Sequence, residues 1–246
     1  ARHPKEERAM IVERPRDLRI KKVFAHGFLI VFLAFIMFPF LMVISISFRE
    51  GNFTIGDILP RNPTLEHWYL AFGLDYVRPD GTVIEPPYPV MLWMWNSIKL
   101  GLMAGFGVLV ISTVSAYAFS RIKFRGRAAL LDGLFIIQMF PTTLALIALY
   151  AIFDSLGEVS PFLGIDSHLS VVMVYWSGVV LHIWTLKGYF DGIDTALDKA
   201  AAIDGATPWQ TFRLVFLPLA VPMMAVIFVL VFIGAINDYP VASVLL

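Results

Sequence analysis

Five long apolar stretches govern what this 246-residue chain can fold into. They run over about 23–47, 96–119, 129–153, 169–186 and 216–236. A helix needs about twenty mostly apolar residues to cross the hydrocarbon core of a bilayer. Lipid offers no partner to an unpaired backbone N–H or C=O, so such stretches span as helices. The expected fold is therefore an all-α, polytopic membrane helix bundle with five spans. Pro39 in the first span and Met139-Phe140-Pro141 in the third predict kinks rather than breaks, because neighbouring helices can satisfy the freed carbonyls. Composition agrees, with 58% hydrophobic and 15% charged residues, where soluble domains average about half apolar and a quarter charged.

Lysine and arginine orient the bundle, because cytoplasmic loops carry the excess of both. Residues 1–22, the 120–128 loop "SRIKFRGRA" and the 187–213 segment hold fifteen of the nineteen basic residues. These three segments are expected on the cytoplasmic side. Arg49, Arg61 and Arg78 lie in the long opposite loop, residues 49–95, with Lys99 just beyond it. Within that loop "TLEHWYLAFG" predicts a short helix capped by Thr64, and "EPPYPV" an extended return. The Trp93/Trp95 pair then fits an interfacial aromatic belt or a docking surface outside the membrane. Residues 1–22 read as a solvated or membrane-surface tail, and 23–246 as the transmembrane domain.

Several function classes lose their support. The chain has no cysteine, hence no disulfide, thiolate metal site or cysteine nucleophile. It lacks a G-x-x-x-x-G-K-[ST] phosphate loop, an H-E-x-x-H zinc motif and a G-x-S-x-G elbow. Its histidines are scattered, and His182 is the one well inside a span. Gln138, Thr142, Ser177 and His182 are the candidate residues lining a polar path through the membrane. Each also fits the plainer role of a hydrogen-bonding contact between helices.

One segment does not belong in lipid. Around "DKAAAIDGATPWQTFRLVFLPLAVP", residues 198–222, the preceding Asp194 suits a helix cap and "ALDKAAAI" from Ala196 favours helix. Gly205 stands where a left-handed C-cap is wanted. Thr207, Pro208 and Gln210 then have capping-box spacing for a second helix, and Pro218 marks the return to the membrane. The prediction is a cytoplasmic helix–turn–helix over 190–217, joined to the fifth span and in need of a partner surface.

This stretch resembles the EAA loop of ABC-importer permeases, E-A-A-x-x-x-G, nine residues, then I-x-L-P. Here it reads Lys199-Ala200-Ala201, three residues, Gly205, nine residues, then Val215-Phe216-Leu217-Pro218. "FPFLMVISISFREGNF", "WNSIKLG", "ALYAIFDSLGE" and "HIWTLKGYF" extend the likeness, which is greatest to the permeases of maltose/maltodextrin importers. The resemblance implies an inner-membrane permease subunit, multi-pass with a cytoplasmic N-terminus, that forms half of a translocation path. Its implied partners are a sister permease of the MalF kind, two ATPase subunits of the MalK kind and a periplasmic maltose-binding protein. ATP and Mg would sit on the ATPase and no cofactor in this chain. Asp198, Lys199, Ala200, Ala201, Ala202, Asp204, Gly205, Ala206, Thr207, Phe212, Leu217 and Pro218 would couple it to that ATPase. Family permeases have a sixth span, so the apolar end "NDYPVASVLL" suggests a truncated chain.

One position departs from the motif. Lys199 stands where the family has a glutamate, which the resemblance pairs with a base of the ATPase. A lysine repels such a partner; Asp198, one residue back, is the candidate substitute, though the two positions point about 100° apart on a helix. Competing readings are a permease for another oligosaccharide or sugar, a passive channel or assembly subunit, and a membrane-embedded enzyme.

Overall fold

The computed structural model describes residues 15–51, 59–60 and 62–246. Residues 1–14 of the expected tail and Arg61 lie outside them, as does the side chain of Thr142. The chain divides into two compact units, residues 1–91 and 92–246.

In the first unit, α1 (Pro15–Ser47) is one continuous helix with Pro39 inside it. It begins within the expected tail and is apolar on all sides, and its most apolar stretch has no residue buried within the chain. A helix of this kind is stable only where lipid or another protein surrounds it. The following loop folds on itself. In α2 (Glu66–Ala71) the buried Glu66 accepts from Arg78 Nε at 3.0 Å and Nη2 at 2.9 Å. Arg78 closes a two-stranded antiparallel hairpin, β1 (Tyr76–Val77) with β2 (Val83–Ile84), in register Tyr76–Ile84 and Val77–Val83. Thr64 does not cap α2; its hydroxyl donates to the carbonyl of Arg49 at 3.3 Å, and Leu65 takes the cap position. The hairpin turns on Gly81, whose φ of +84° is open to glycine.

The second unit is helical. α3 (Val90–Arg121) crosses it as a single long helix. The third expected span is not kinked but broken. α4 (Arg127–Gln138) and α5 (Thr142–Val159) are bent by 95°. Proline disfavours helical backbone in the residue before it, and Pro141 itself is extended at φ −63°, ψ 121°. The fourth is also broken, with a 50° bend between α6 (His168–Ser177) and α7 (Val180–Asp191) that no proline announces. Then come α8 (Ala196–Ile203), α9 (Pro208–Thr211), a π-helical turn at Phe212–Phe216, α10 (Leu217–Asn237) and α11 (Pro240–Leu245). Among the described residues three helices are long and apolar enough to cross a membrane, and five spans result when each bent pair counts as one.

The helices of this unit pack through glycines and aromatic rings. A Cβ on Gly101 would lie 2.7 Å from the Phe232 ring, and one on Gly105 2.7 Å from the Phe228 ring, so α3 receives two α10 rings in glycine notches. Gly107 does the same for Trp176, whose indole N–H reaches the Met103 carbonyl at 3.3 Å. Close approach over small residues is how helices associate where lipid removes the hydrophobic driving force. Two buried clusters result. One is built on Tyr117, Phe190, Phe212 and Phe216, the other on Leu100, Phe153, Val171 and Leu245, with Trp176 packed against both.

Candidate coupling unit and translocation path

The helix–turn–helix forms as local chemistry dictates. Asp194 Oδ1 accepts from the N–H of Ala196 at 2.9 Å, so the acid satisfies the first helical donor from two residues away, and Thr195 holds the cap position. Asp204 ends α8, and Gly205 turns the chain at φ +75°. There Ala206 donates to the Ala201 carbonyl at 2.9 Å, closing a left-handed cap. Thr207 and Gln210 complete the capping box, with Thr207 N–H donating to Gln210 Oε1 at 2.8 Å and Gln210 N–H to Thr207 Oγ1 at 3.3 Å.

The chain does not wait for Pro218 to rejoin the bundle, since one helix runs from Pro208 to Asn237. Its π-helical turn at 212–216 lies just before Pro218, which has no N–H to give the Leu214 carbonyl. A wider turn carries the ladder past that proline, and such turns recur at functional sites.

The unit has two faces. Ala201, Phe212 and Phe216 are buried, and Leu217 is half-buried. Tyr117 meets the Phe212 ring at 4.9 Å and the Phe216 ring at 5.5 Å, and its hydroxyl donates to the Pro208 carbonyl at 3.2 Å. Lys199, Ala200, Ala202, Asp204 and Pro218 are exposed. Beside them Ile203 is 86% exposed, Trp209 60% and Leu214 69%, an apolar surface unusual for a short connector.

Asp198 belongs to the inner face. Its Oδ2 lies 3.0 Å from Nη1 of Arg121, the last residue of α3. Asp198 is therefore engaged within the chain. Arg121 also donates through Nη2 to the carbonyls of Phe190 at 2.6 Å and Ile193 at 2.7 Å, and its guanidinium sits 4.7 Å above the Phe216 ring. Next to it, Ser120 Oγ donates to Asp191 Oδ1 at 2.6 Å, and Asp191 pairs with Lys187 at 2.6 Å. By sequence Arg121 is one more basic residue of a cytoplasmic loop; only the fold reveals its contacts.

The candidate path residues gather at the two helix breaks, with one exception. Gln138 Nε2 donates to the Gly178 carbonyl at 3.0 Å, joining the α4–α5 break to the α6–α7 break. Gln138, Ser177 and Gly178 line a cavity of ≈ 690 Å³ with Phe140, Leu149 and Trp176. Ser177 and Gly178 also line a second cavity of ≈ 260 Å³, with Thr143, Tyr175 and Asp238. There Tyr175 donates to Asp238 Oδ2 at 3.1 Å. The backbone of Thr142 opens α5 beside these cavities. His182, half-buried one turn into α7, lines neither. The Gly178 break was outside the sequence-based candidates; the Ser-Gly pair at 177–178 is the signal that marks it.

Residues 100–246 match the family described as binding-protein-dependent transport system inner membrane component. The chain is 52% identical to the maltose/maltodextrin transport system permease protein MalG of Yersinia pestis, over 98% of this chain and 80% of that protein. Identity to the Escherichia coli K12 protein of the same name is 50%, over 96% of this chain and 80% of the relative. Its fold is similar to a bacterial ABC transporter involved in import of the acidic polysaccharide alginate, with TM-score 0.73 over 95% of this chain and 77% of that one, at 21% identity. With its helical bundle, this chain belongs to the family of inner membrane components of binding-protein-dependent transport systems.

Proposed function

We propose that this chain is a membrane permease subunit of an ATP-driven importer for maltose and maltodextrins. Identity of 52% over nearly the whole length to a maltose/maltodextrin permease supports the substrate class. The observation that carries the mechanism is the unit at 196–216. A glycine-turned, box-capped pair of short helices presents an exposed apolar face and continues without interruption into a spanning helix. The likeness of residues 199–218 to the EAA loop of ABC-importer permeases supports an ATPase as the partner that covers this face.

In this reading residues 190–217 dock an ATPase subunit of the MalK kind, which binds ATP and Mg. The segments rich in lysine and arginine, the N-terminal tail among them, face the cytoplasm. Residues 49–95 face the periplasm, where a sugar-binding protein delivers substrate. A sister permease of the MalF kind supplies the other half of the path. Gln138, Thr142 and Ser177 line this half at its helix breaks, where His182 does not reach, and the two broken helix pairs let it change shape around the sugar. Discontinuous helices recur at transporter substrate sites because they expose polar backbone at membrane depth.

The test is affinity purification of the tagged permease complex. Wild type retains the ATPase, and Gly205→Val reduces retention, because a β-branched residue resists the positive φ of that turn. Retention that is equal in both removes the docking role from this segment.

A further inference from the structure

α8 and α9 are covalently continuous with α7 on one side and α10 on the other, so their movement reaches those two helices directly. α3 has no such continuity, since its last residue, Arg121, lies 77 positions before Asp198. Yet the side chain of Arg121 touches three parts of this junction. It pairs with Asp198 of α8 at 3.0 Å and bonds the Phe190 and Ile193 carbonyls at the end of α7 at 2.6 and 2.7 Å. It also stacks on Phe216 of the π-helical turn at 4.7 Å.

The chemistry suits a rigid joint. The planar guanidinium presents several donors in a fixed fork, so it holds two carbonyls and a carboxylate at once, where an ammonium acts as a point charge. Cationic donors make the stronger class of hydrogen bond. The two carbonyls lie at a helix C-terminus, where a positive charge is favoured. The side chain is only 10% exposed, so water does little to weaken these bonds.

We propose that Arg121 is the positioning residue through which displacement of the α8 docking helix reaches α3, making α3 a third driven helix beside α7 and α10. This rests on the reading that α8 docks an ATPase. When α8 shifts, the Asp198–Arg121 pair draws the inner end of α3 along. Without the pair, α7 and α10 move and α3 lags, so ATP is hydrolysed with less sugar moved.

The experiment uses the full transporter complex in proteoliposomes and reads two quantities, ATPase retained by the tagged permease and maltose imported per ATP hydrolysed. Arg121→Gln, outside the docking segment, is expected to retain the ATPase, and both it and Asp198→Asn, compared per ATPase retained, to lower the import ratio by on the order of ten-fold, within the usual range of coupling between sites. Arg121→Lys keeps the charge but not the fork and is expected to fall between them and wild type. Asp198→Asn preserves the carbonyl bonds and the Phe216 stack, so it tests the joint even where Arg121 variants fail to assemble. Normal ratios in the assembled variants overturn the proposal. So does equality of the lysine and glutamine variants, or loss of ATPase retention as the sole defect. Failure of the wild-type complex to retain an ATPase refutes the docking reading instead, and is seen before any variant is compared.

Discussion

Gln138 Nε2 donates to the Gly178 carbonyl at 3.0 Å, so the break in one helix pair is tied to the break in the other. Neither break stands alone. A carbonyl released where a helix is interrupted at membrane depth needs a donor from elsewhere in the protein, and α4 supplies one in the turn before its own interruption.

Gln138→Leu removes that donor with little change of volume. Leaving a buried acceptor without a partner costs about 1–3 kcal/mol, and Gly178 is only part-buried, so the low end of that range applies. The variant is expected to show a lower thermal midpoint in detergent and slower maltose uptake. A midpoint and uptake equal to wild type would mean that Gly178 is served by another group.

Gly107→Val tests the packing of α3. A Cβ at Gly107 would fall 1.9 Å from Trp176 Nε1, so the indole must leave its place, its bond to Met103 and its contacts with both buried clusters. Overpacking of this kind costs about 1–3 kcal/mol, and poor accumulation in the membrane is expected. Gly133→Ala on α4 is the control, since a Cβ there meets nothing within 4 Å. It is expected to be neutral or slightly stabilising, as replacing a helical glycine usually is. Equal accumulation of Gly107→Val and Gly133→Ala would contradict the notch.

Thr207→Val deletes the hydroxyl half of the capping box while Pro208 keeps the start of the helix. Loss of such a cap costs about 1 kcal/mol. Faster amide hydrogen exchange at Gln210 is expected, together with weaker ATPase retention. Unchanged exchange would show that the tertiary contacts of Phe212 hold α9 without its cap.

The hairpin of the long loop carries a pH dependence. The backbone N–H of Thr82 donates to Asp80 Oδ1 at 2.9 Å, and this bond holds the exposed carboxyl below its usual range. A folded-state pKa below the unfolded one gives stabilisation that is present above the ordinary carboxylate range and fades as pH falls through the depressed value. Exchange at the Thr82 amide, corrected for intrinsic rate, is expected to quicken only in acid, and Asp80→Asn is expected to abolish the change. The same acid response in Asp80→Asn would assign it elsewhere.

Much of this was legible in the sequence, and the limits have physical causes. Spans follow from apolar length, and the turn at 205–207 from glycine and capping chemistry, because both are local. The 95° break was underestimated at Pro141: a proline announces lost hydrogen bonds but not the angle at which neighbours receive the two halves. The 50° break at Gly178 had no proline to announce it. The β1–β2 hairpin was missed because two-residue strands carry no periodicity. Arg121 was counted as a positive charge and nothing more, since its partners lie 69 to 95 positions away along the chain.

The central claim is that this chain carries maltose only as part of an ATP-driven assembly. Its most direct test is uptake of labelled maltose by proteoliposomes holding the complete complex, with and without ATP and with and without the sugar-binding protein. The account predicts uptake only when ATP and binding protein are both present, and its loss in Gly205→Val in step with ATPase retention. Maltose uptake without ATP, or none from a complex that hydrolyses ATP in response to loaded binding protein, would contradict it.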